Sequence, residues 1–341
     1  MRNNVSQNAN KTKTINLALQ GGGAHGAFTW GVLDRLLEDE RLVIEAISGT
    51  SAGAINAAVL VDGFEKGGGE GAKTALERFW RAVSEHASIS PYSGGGLSPF
   101  ARWFDFLTHT FSPYEFNPAN IDPLKDIITE TIDFGCLRAC RSIKLYISAT
   151  NVRTGRLRIF NSNELSADVL LASACLPHIR QAVVIDGEHY WDGGFMGNPI
   201  LEPLIGQCQG CCDIVIVQVN SAQCDDVPRT ASEIINRVNE ISFNSSLMRE
   251  IRAIAGVMML VNSGALEIKD PQYKCTLFHR IAAEDVMKGL RAGSKFDISW
   301  PFLTRLKNLG RERAGQWLAE NFEHIGHAST LDLQAWEPAY R

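Results

Sequence analysis

The sequence predicts an α/β fold with a largely parallel central sheet, and three observations lead there. The first sixty residues read as strand, helix, strand, helix, the order that right-handed crossovers turn into parallel strand pairs. Their strands are short, continuous apolar runs, as strands buried on both faces are. Hydrophobic residues at 45% and charged residues at 21% of 341 match an ordinary globular chain. That composition excludes a disordered or fibrous protein and leaves room for one large domain or two modest ones.

Taken in order, residues 15–20 form a buried strand bounded by glycine, and 24–38 a helix whose apolar face is Val32, Leu33, Leu36 and Leu37. Residues 42–47 are a second buried strand. The alanine-rich stretch 52–61 is a helix suited to close packing under a sheet, and 74–86 is another helix. Residues 89–118 differ, with glycine and proline scattered among Tyr92, Phe100, Trp103, Phe104, Phe106, Phe111, Tyr114 and Phe116. This is either a secondary core or a lid facing lipid, and inward packing is the preferred reading. Helix 121–134 precedes strands 144–149 and 156–160, joined by a turn at Thr154–Gly155. Helix 167–175 follows, then a hairpin of 183–185 and 190–191 around Asp186–Gly187. Strand 213–219, a long helical pattern over 231–261, a short strand at 275–280 and a helix at 302–322 complete the chain. The long helix is expected to pack internally or against a second subunit, as in a homodimer.

Three short motifs carry chemistry. Gly21-Gly22-Gly23-Ala24-His25-Gly26 lies between a strand and a helix. Glycines there let backbone amides approach a ligand at a helix N-terminus, where negative charge is stabilised. The loop could cradle a pyrophosphate, hold an oxyanion or merely serve tight helix packing. A dinucleotide site wants an acid at the tip of the next strand, whereas Glu45 falls inside it. Gly49-Thr50-Ser51-Ala52-Gly53 sits between strand 42–47 and the next helix, the context of a nucleophile elbow, with Gly49 and Gly53 keeping its flanks small. A serine nucleophile needs a base. None of the eight histidines has a neighbourhood that announces a triad. Asp192-Gly193-Gly194 does better, because two glycines turn the chain away just beyond a short strand and leave the carboxylate uncrowded. Burial beside the serine would raise the Asp192 pKa from about 3.9. The expected chemistry is a Ser–Asp dyad: Asp192 takes the Ser51 proton, Ser51 attacks an ester carbonyl, and amides of Gly21, Gly22, Gly23 and Ala24 hold the oxyanion.

These three motifs, in this order over about the first 200 residues, resemble the patatin-like phospholipase family. The resemblance implies a three-layer α/β/α fold and an acyl hydrolase of the phospholipase A or lysophospholipase type. It makes Ser51 the nucleophile and Asp192 the base. Gly22 and Gly23, with Gly21 and Ala24, become the oxyanion hole, and His25, Gly26, Gly49, Gly53, Gly193 and Gly194 support the motifs. Family members often carry Arg or Lys where this chain has His25, which bears on phospholipid preference. His25 is expected either to face solvent in the first helical turn or to take part in catalysis. The alternatives to hydrolysis are a dinucleotide-binding protein and a non-catalytic lipid-binding one.

The expected organisation is a flexible tail over 1–14, a catalytic domain over 15–220 and a mostly helical extension over 221–341 packed on it. A formal charge of −5 argues against nucleic acid as a partner, so the expected partner is a lipid or phospholipid substrate at a membrane surface. The basic clusters at 138–144 and 153–158 read as solvated surface, with headgroup contact as the alternative. Eight cysteines without a signal peptide do not make a disulfide framework, and Cys208, Cys211, Cys212 and Cys224 lack paired metal-binding spacing. The dyad requires no metal and no cofactor. The polar N-terminus has no apolar core for a signal peptide, and no apolar run is long enough to span a bilayer. The expected location is the cytoplasm, with peripheral membrane contact, and export without a cleaved signal is compatible with the sequence.

Overall fold

In a computed structural model of the chain, residues 12–86, 111–205, 212–224, 227–269, 276–290 and 292–332 are described. The apolar runs become strands of one eight-stranded sheet. β1 (Lys13–Leu19), β2 (Leu42–Gly49), β3 (Lys144–Asn151), β4 (Leu157–Asn161), β5 (Val183–Ile185), β6 (Glu188–Asp192), β7 (Cys212–Gln218) and β8 (Thr276–Ala282) pair in the order β5-β6-β3-β2-β1-β7-β8, with β4 added on β3. From β3 to β8 that order is parallel throughout, while β4, β5 and β6 pair antiparallel. β1 starts at Lys13, so the last two residues of the expected tail belong to the sheet.

Seven helices of six residues or more pack on it among the described residues: α1 (Gly26–Leu36), α2 (Ala52–Glu85), α3 (Pro123–Thr131), α4 (Phe134–Ala139), α5 (Ala167–Ser173), α6 (Ala231–Asn262) and α7 (Trp300–Asn321). The strand period of two separates the faces. Ile15, Leu17 and Leu19 of β1, with Val215 and Val217 of β7, point into the larger core with α1, α2, α5 and α7. Ala18, Ile214, Ile216 and Phe278 point the other way, onto Leu247 and Ile251 of α6 and onto Leu201 and Leu204. Helices therefore cover both faces, and the fold is three-layered α/β/α.

α2 unites the two helices expected at 52–61 and 74–86, broken by non-helical backbone at Gly67 and Gly68. The helix expected over 121–134 divides, because Asp133 accepts the amides of Gly135 and Cys136 and so caps α4 as a new helix. Beyond residue 220 the chain is more than a helical extension: β8 pairs with β7 and completes the sheet, and α7 packs along α1. Of the aromatic stretch, Tyr92, Phe100, Trp103, Phe104 and Phe106 lie outside the described residues, as do Cys208 and Cys211. Phe111 and Tyr114 are exposed. α6 buries Phe243, Leu247, Ile251 and Ala255 and exposes Ile234, Val238 and Ile241 on its outer side.

Candidate active site

The backbone turns sharply between β2 and α2. Ser51 there has φ 55° and ψ −124°, a conformation that costs a residue with a side chain about 1–3 kcal/mol. Several hydrogen bonds hold it. The Ser51 amide donates to Ser173 Oγ (2.9 Å), the Gly53 amide to the Thr50 carbonyl (2.8 Å), and the Ile55 amide to the Ser51 carbonyl (3.1 Å). The Thr50 hydroxyl donates to the Gly197 carbonyl (2.7 Å). Gly49 ends β2 and Gly53 lies in the first turn of α2. Ser51 thus stands at a helix N-terminus, where negative charge developing nearby is stabilised.

Asp192 is the last residue of β6. Gly49 pairs with Ile147 of β3, and two residues further along β3 Ala149 pairs with Asp192. Ser51 follows Gly49 by the same two residues, so the register brings Ser51 and Asp192 to one level at the same edge. The carboxylate is not uncrowded: Asp192 is 1% exposed. Gly193 and Gly194 form a tight 3-10 turn in which the Gly194 amide donates to Asp192 Oδ1 (2.7 Å). A Cβ at Gly193 would lie 2.4 Å from the Ser148 carbonyl oxygen, so the glycine is needed for this approach. The Asp192 amide donates to the Cys175 carbonyl (2.8 Å), and the Thr150 hydroxyl to the Asp192 carbonyl (2.8 Å).

Burial pushes the Asp192 pKa up to about 7, against the opposing influence of the Gly194 amide, the Ser51 hydroxyl and the Arg180 guanidinium. Asp192 Oδ2 closes no hydrogen bond. The Ser51 hydroxyl is near enough to favour the anion yet short of hydrogen-bond geometry, as is common before substrate binds.

The glycine loop is gripped from outside. The Gly21 amide donates to Asn198 Oδ1 (2.7 Å), and Asn220 Nδ2 donates to the Gly21 carbonyl (2.6 Å). Gly21 is therefore occupied as a donor, whereas Gly22, Gly23 and Ala24 line a cavity together with Ser51 and Asp192. A side chain at Gly21 would meet Ser51 Cβ at 2.6 Å, so the two turns touch only because Gly21 has none. Gln20, fully buried, accepts the amides of Val219 and Asn220 (2.9 and 2.8 Å) and donates to Asn244 Oδ1 (3.0 Å). Gly26 opens α1. His25 neither faces solvent nor lines the cavity. It is buried, with Nε2 2.8 Å from Ser294 Oγ. Burial, with Lys295 nearby, pushes its pKa down to about 3, so the ring is neutral.

The cavity measures about 820 Å³. Ile55, Phe79, Trp80 and Val83 of α2 and Ile127 of α3 give it an apolar wall. The later residues that line it include Asn236, Asn239 and Lys295 and also the apolar Ile235, Phe243, Phe296 and Ile298, and Arg180 and His178 line it as well. Arg180 pairs with Asp122 at 3.1 Å. Sequence reasoning missed Gln20, Ser173, Asn198, Asn220 and Lys295. Of these only Gln20 left a signal, as a polar residue closing an apolar strand directly before the glycine loop.

Residues 17–205 match the family model described as patatin-like phospholipase. The chain belongs to that family. At the level of the patatin-like family it is a lipid acyl hydrolase. No curated protein matches it. Among solved structures it is similar to VipD from Legionella pneumophila, at 15% identity and a TM-score of 0.43 over 90% of this chain and 67% of that one. It is also similar to ExoU in the heterodimeric ExoU–SpcU complex from the type III secretion system of Pseudomonas aeruginosa, at 14% identity and a TM-score of 0.40 over 92% of this chain. The match spans 52% of that second chain, about half its length. Among the described residues, no helix is long and apolar enough to cross a membrane.

Proposed function

We propose that this protein is a serine acyl hydrolase of the phospholipase A or lysophospholipase type, working through a Ser51–Asp192 dyad. The observation that carries this reading is the shared cavity. A strained serine at a helix N-terminus and a buried carboxylate with a pKa near 7 line it together with the glycine loop. Ionised Asp192 accepts the Ser51 hydroxyl proton as Oγ bonds to the ester carbonyl carbon. The resulting oxyanion is held by the amides of Gly22, Gly23 and Ala24; Gly21 acts by keeping the loop against Ser51, since its own amide serves Asn198. Protonated Asp192 then gives its proton to the departing alkoxide, which leaves as the alcohol. In the second half, water loses a proton to Asp192 and attacks the acyl-Ser51 ester, and Ser51 leaves protonated.

The cavity's apolar wall suits an acyl chain. Ile121, 72% exposed on its lining, suits contact with a lipid surface. Among the described residues, Cys136, Cys140 and Cys175 are free thiols. The test is covalent labelling by a fluorophosphonate, with the adduct mapped by mass spectrometry. Labelling at Ser51, lost in Ser51→Ala along with ester hydrolysis, is the expected result. A folded protein that takes no label and cleaves no ester would make this a lipid-binding protein with a hydrolase's motifs.

A further inference from the structure

The family match ends at residue 205, yet part of the cavity lining, including Asn236, Asn239 and Lys295, comes from later in the chain. Its charge is Lys295, whose side chain is 14% exposed and whose Nζ lies 3.1 Å from Glu240 Oε1. Glu240 does not belong to Lys295 alone. Arg237 Nη1 donates to its Oε2 at 3.2 Å, and Asn236 Nδ2 donates to Oε1 at 3.0 Å. Two cations therefore share one carboxylate, and among the described residues the cluster carries one positive charge in excess. Across the cavity Arg180 and Asp122 balance each other.

The backbone of Lys295 is set against the glycine loop. The Lys295 carbonyl oxygen lies 2.6 Å from where a Cβ on Gly23 would be, and Gly23 has φ +60°. A buried ammonium that shares its carboxylate with a second cation is only partly compensated. Burial accordingly pulls the Lys295 pKa below its ordinary value, with Glu240 opposing the shift and Arg237 adding to it. Apolar side chains of α2 and α3 line the cavity, and so does the Lys295 side chain, together with Ser51, Asp192 and the glycine loop. With an acyl chain against the apolar side chains of α2 and α3 and its carbonyl at the glycine loop, Lys295 is left to the alcohol half of the ester.

We propose that Lys295, held in place by Glu240, binds a phosphate on the alcohol half of the lipid ester, beside the Ser51 centre. This specificity role rests on the hydrolase reading above. It assigns to the region beyond the matched domain the part of the site that reads the headgroup, while residues of that domain read the acyl ester.

The test compares two monomeric short-chain lipids with the same acyl groups, one carrying a glycerol phosphate and one an uncharged glycerol. Lys295→Met is a clean change, because Glu240 keeps Arg237 as its partner; Lys295→Arg preserves the charge. In Lys295→Met, kcat/KM for the phosphate-bearing ester should fall about 10- to 100-fold, the range of a charge-assisted hydrogen bond. Most of that loss should appear in KM, the uncharged ester should lose under about threefold, and Lys295→Arg should recover part of the loss. Binding of the same lipids to Ser51→Ala protein provides a readout that needs no turnover. Selective, Lys295-dependent binding there, with no hydrolysis by the wild type, would sink the hydrolase reading and leave this assignment standing. Inorganic phosphate inhibiting the wild type but not Lys295→Met would show that the phosphate group alone is recognised. No such inhibition, with lipid selectivity kept, would show that it is read only as part of a lipid. Equal losses on both esters, or no preference for the phosphate-bearing lipid in binding, would overturn the proposal and leave Lys295 as a prop for the glycine loop.

Discussion

Asp192 ties function and stability to the same proton. In the hydrolase reading it must be ionised to accept the serine proton, and its pKa is about 7. The acid limb of kcat/KM should therefore bend near pH 7 and fall about tenfold per pH unit below it, which an initial-rate pH profile on an uncharged ester would measure. Between the unfolded value of about 3.9 and the folded value near 7, the native state holds a proton that the unfolded chain has released. Stability from this group thus declines as pH rises through that window and stays low above it. Asp192→Asn removes the buried charge, so the variant should be inactive yet melt at a higher temperature than wild type at pH 8. That gap should shrink toward pH 5, and calorimetry at the two pH values would check it. The types of residue in this site could be read from the chain because an elbow serine, a glycine loop and a turn aspartate are local patterns. The roles of Gly21 and His25 could not, since each is decided by a partner far along the chain: Asn198 for one, Ser294 for the other.

Helix packing depends on small residues where two helices cross. A Cβ on Gly31 of α1 would sit 1.9 Å from the Lys307 carbonyl oxygen of α7, and one on Gly310 would sit 2.1 Å from that of Phe28. The backbones touch there, and Asp34 and Glu38 clasp Arg311 beside the contact. Gly31→Ala should destabilise the fold by about 1–3 kcal/mol through overpacking, read as a lower midpoint in urea unfolding. A surface glycine such as Gly155, with nothing near its missing side chain but a φ of +64°, tests backbone strain instead. Gly155→Asn should shift the same midpoint little, because asparagine tolerates that backbone. Strands and long helices were legible because their periods are local. The split between α3 and α4 was less so: Ile132 and Ile128 continue an apolar pattern, and the Asp133 cap overrides it.

On the scale of the whole molecule, the family's matched region is not a separable half. β8 closes the sheet beyond β7, α7 covers α1, and Asn220 and Ser294 both touch the glycine-loop region. A chain ending at residue 220 should expose the apolar face of α1 and the open edge of β7. Size-exclusion chromatography should find it aggregated, and thermal scans should show no cooperative transition. The sequence pattern foretold helices in this region but not their attachment, which depends on sheet order rather than on any local signal. The grip on the glycine loop also sets a clock. The loop and Ser51 leave the ribosome first, and Ser294 and Lys295 follow Ser51 by roughly 240 residues, on the order of ten to fifty seconds at ordinary elongation speed. Through that interval the nascent chain carries its serine without the clamp that shapes the pocket around it. Any lipid-cleaving activity therefore waits until residues 294 and 295 have emerged and folded back.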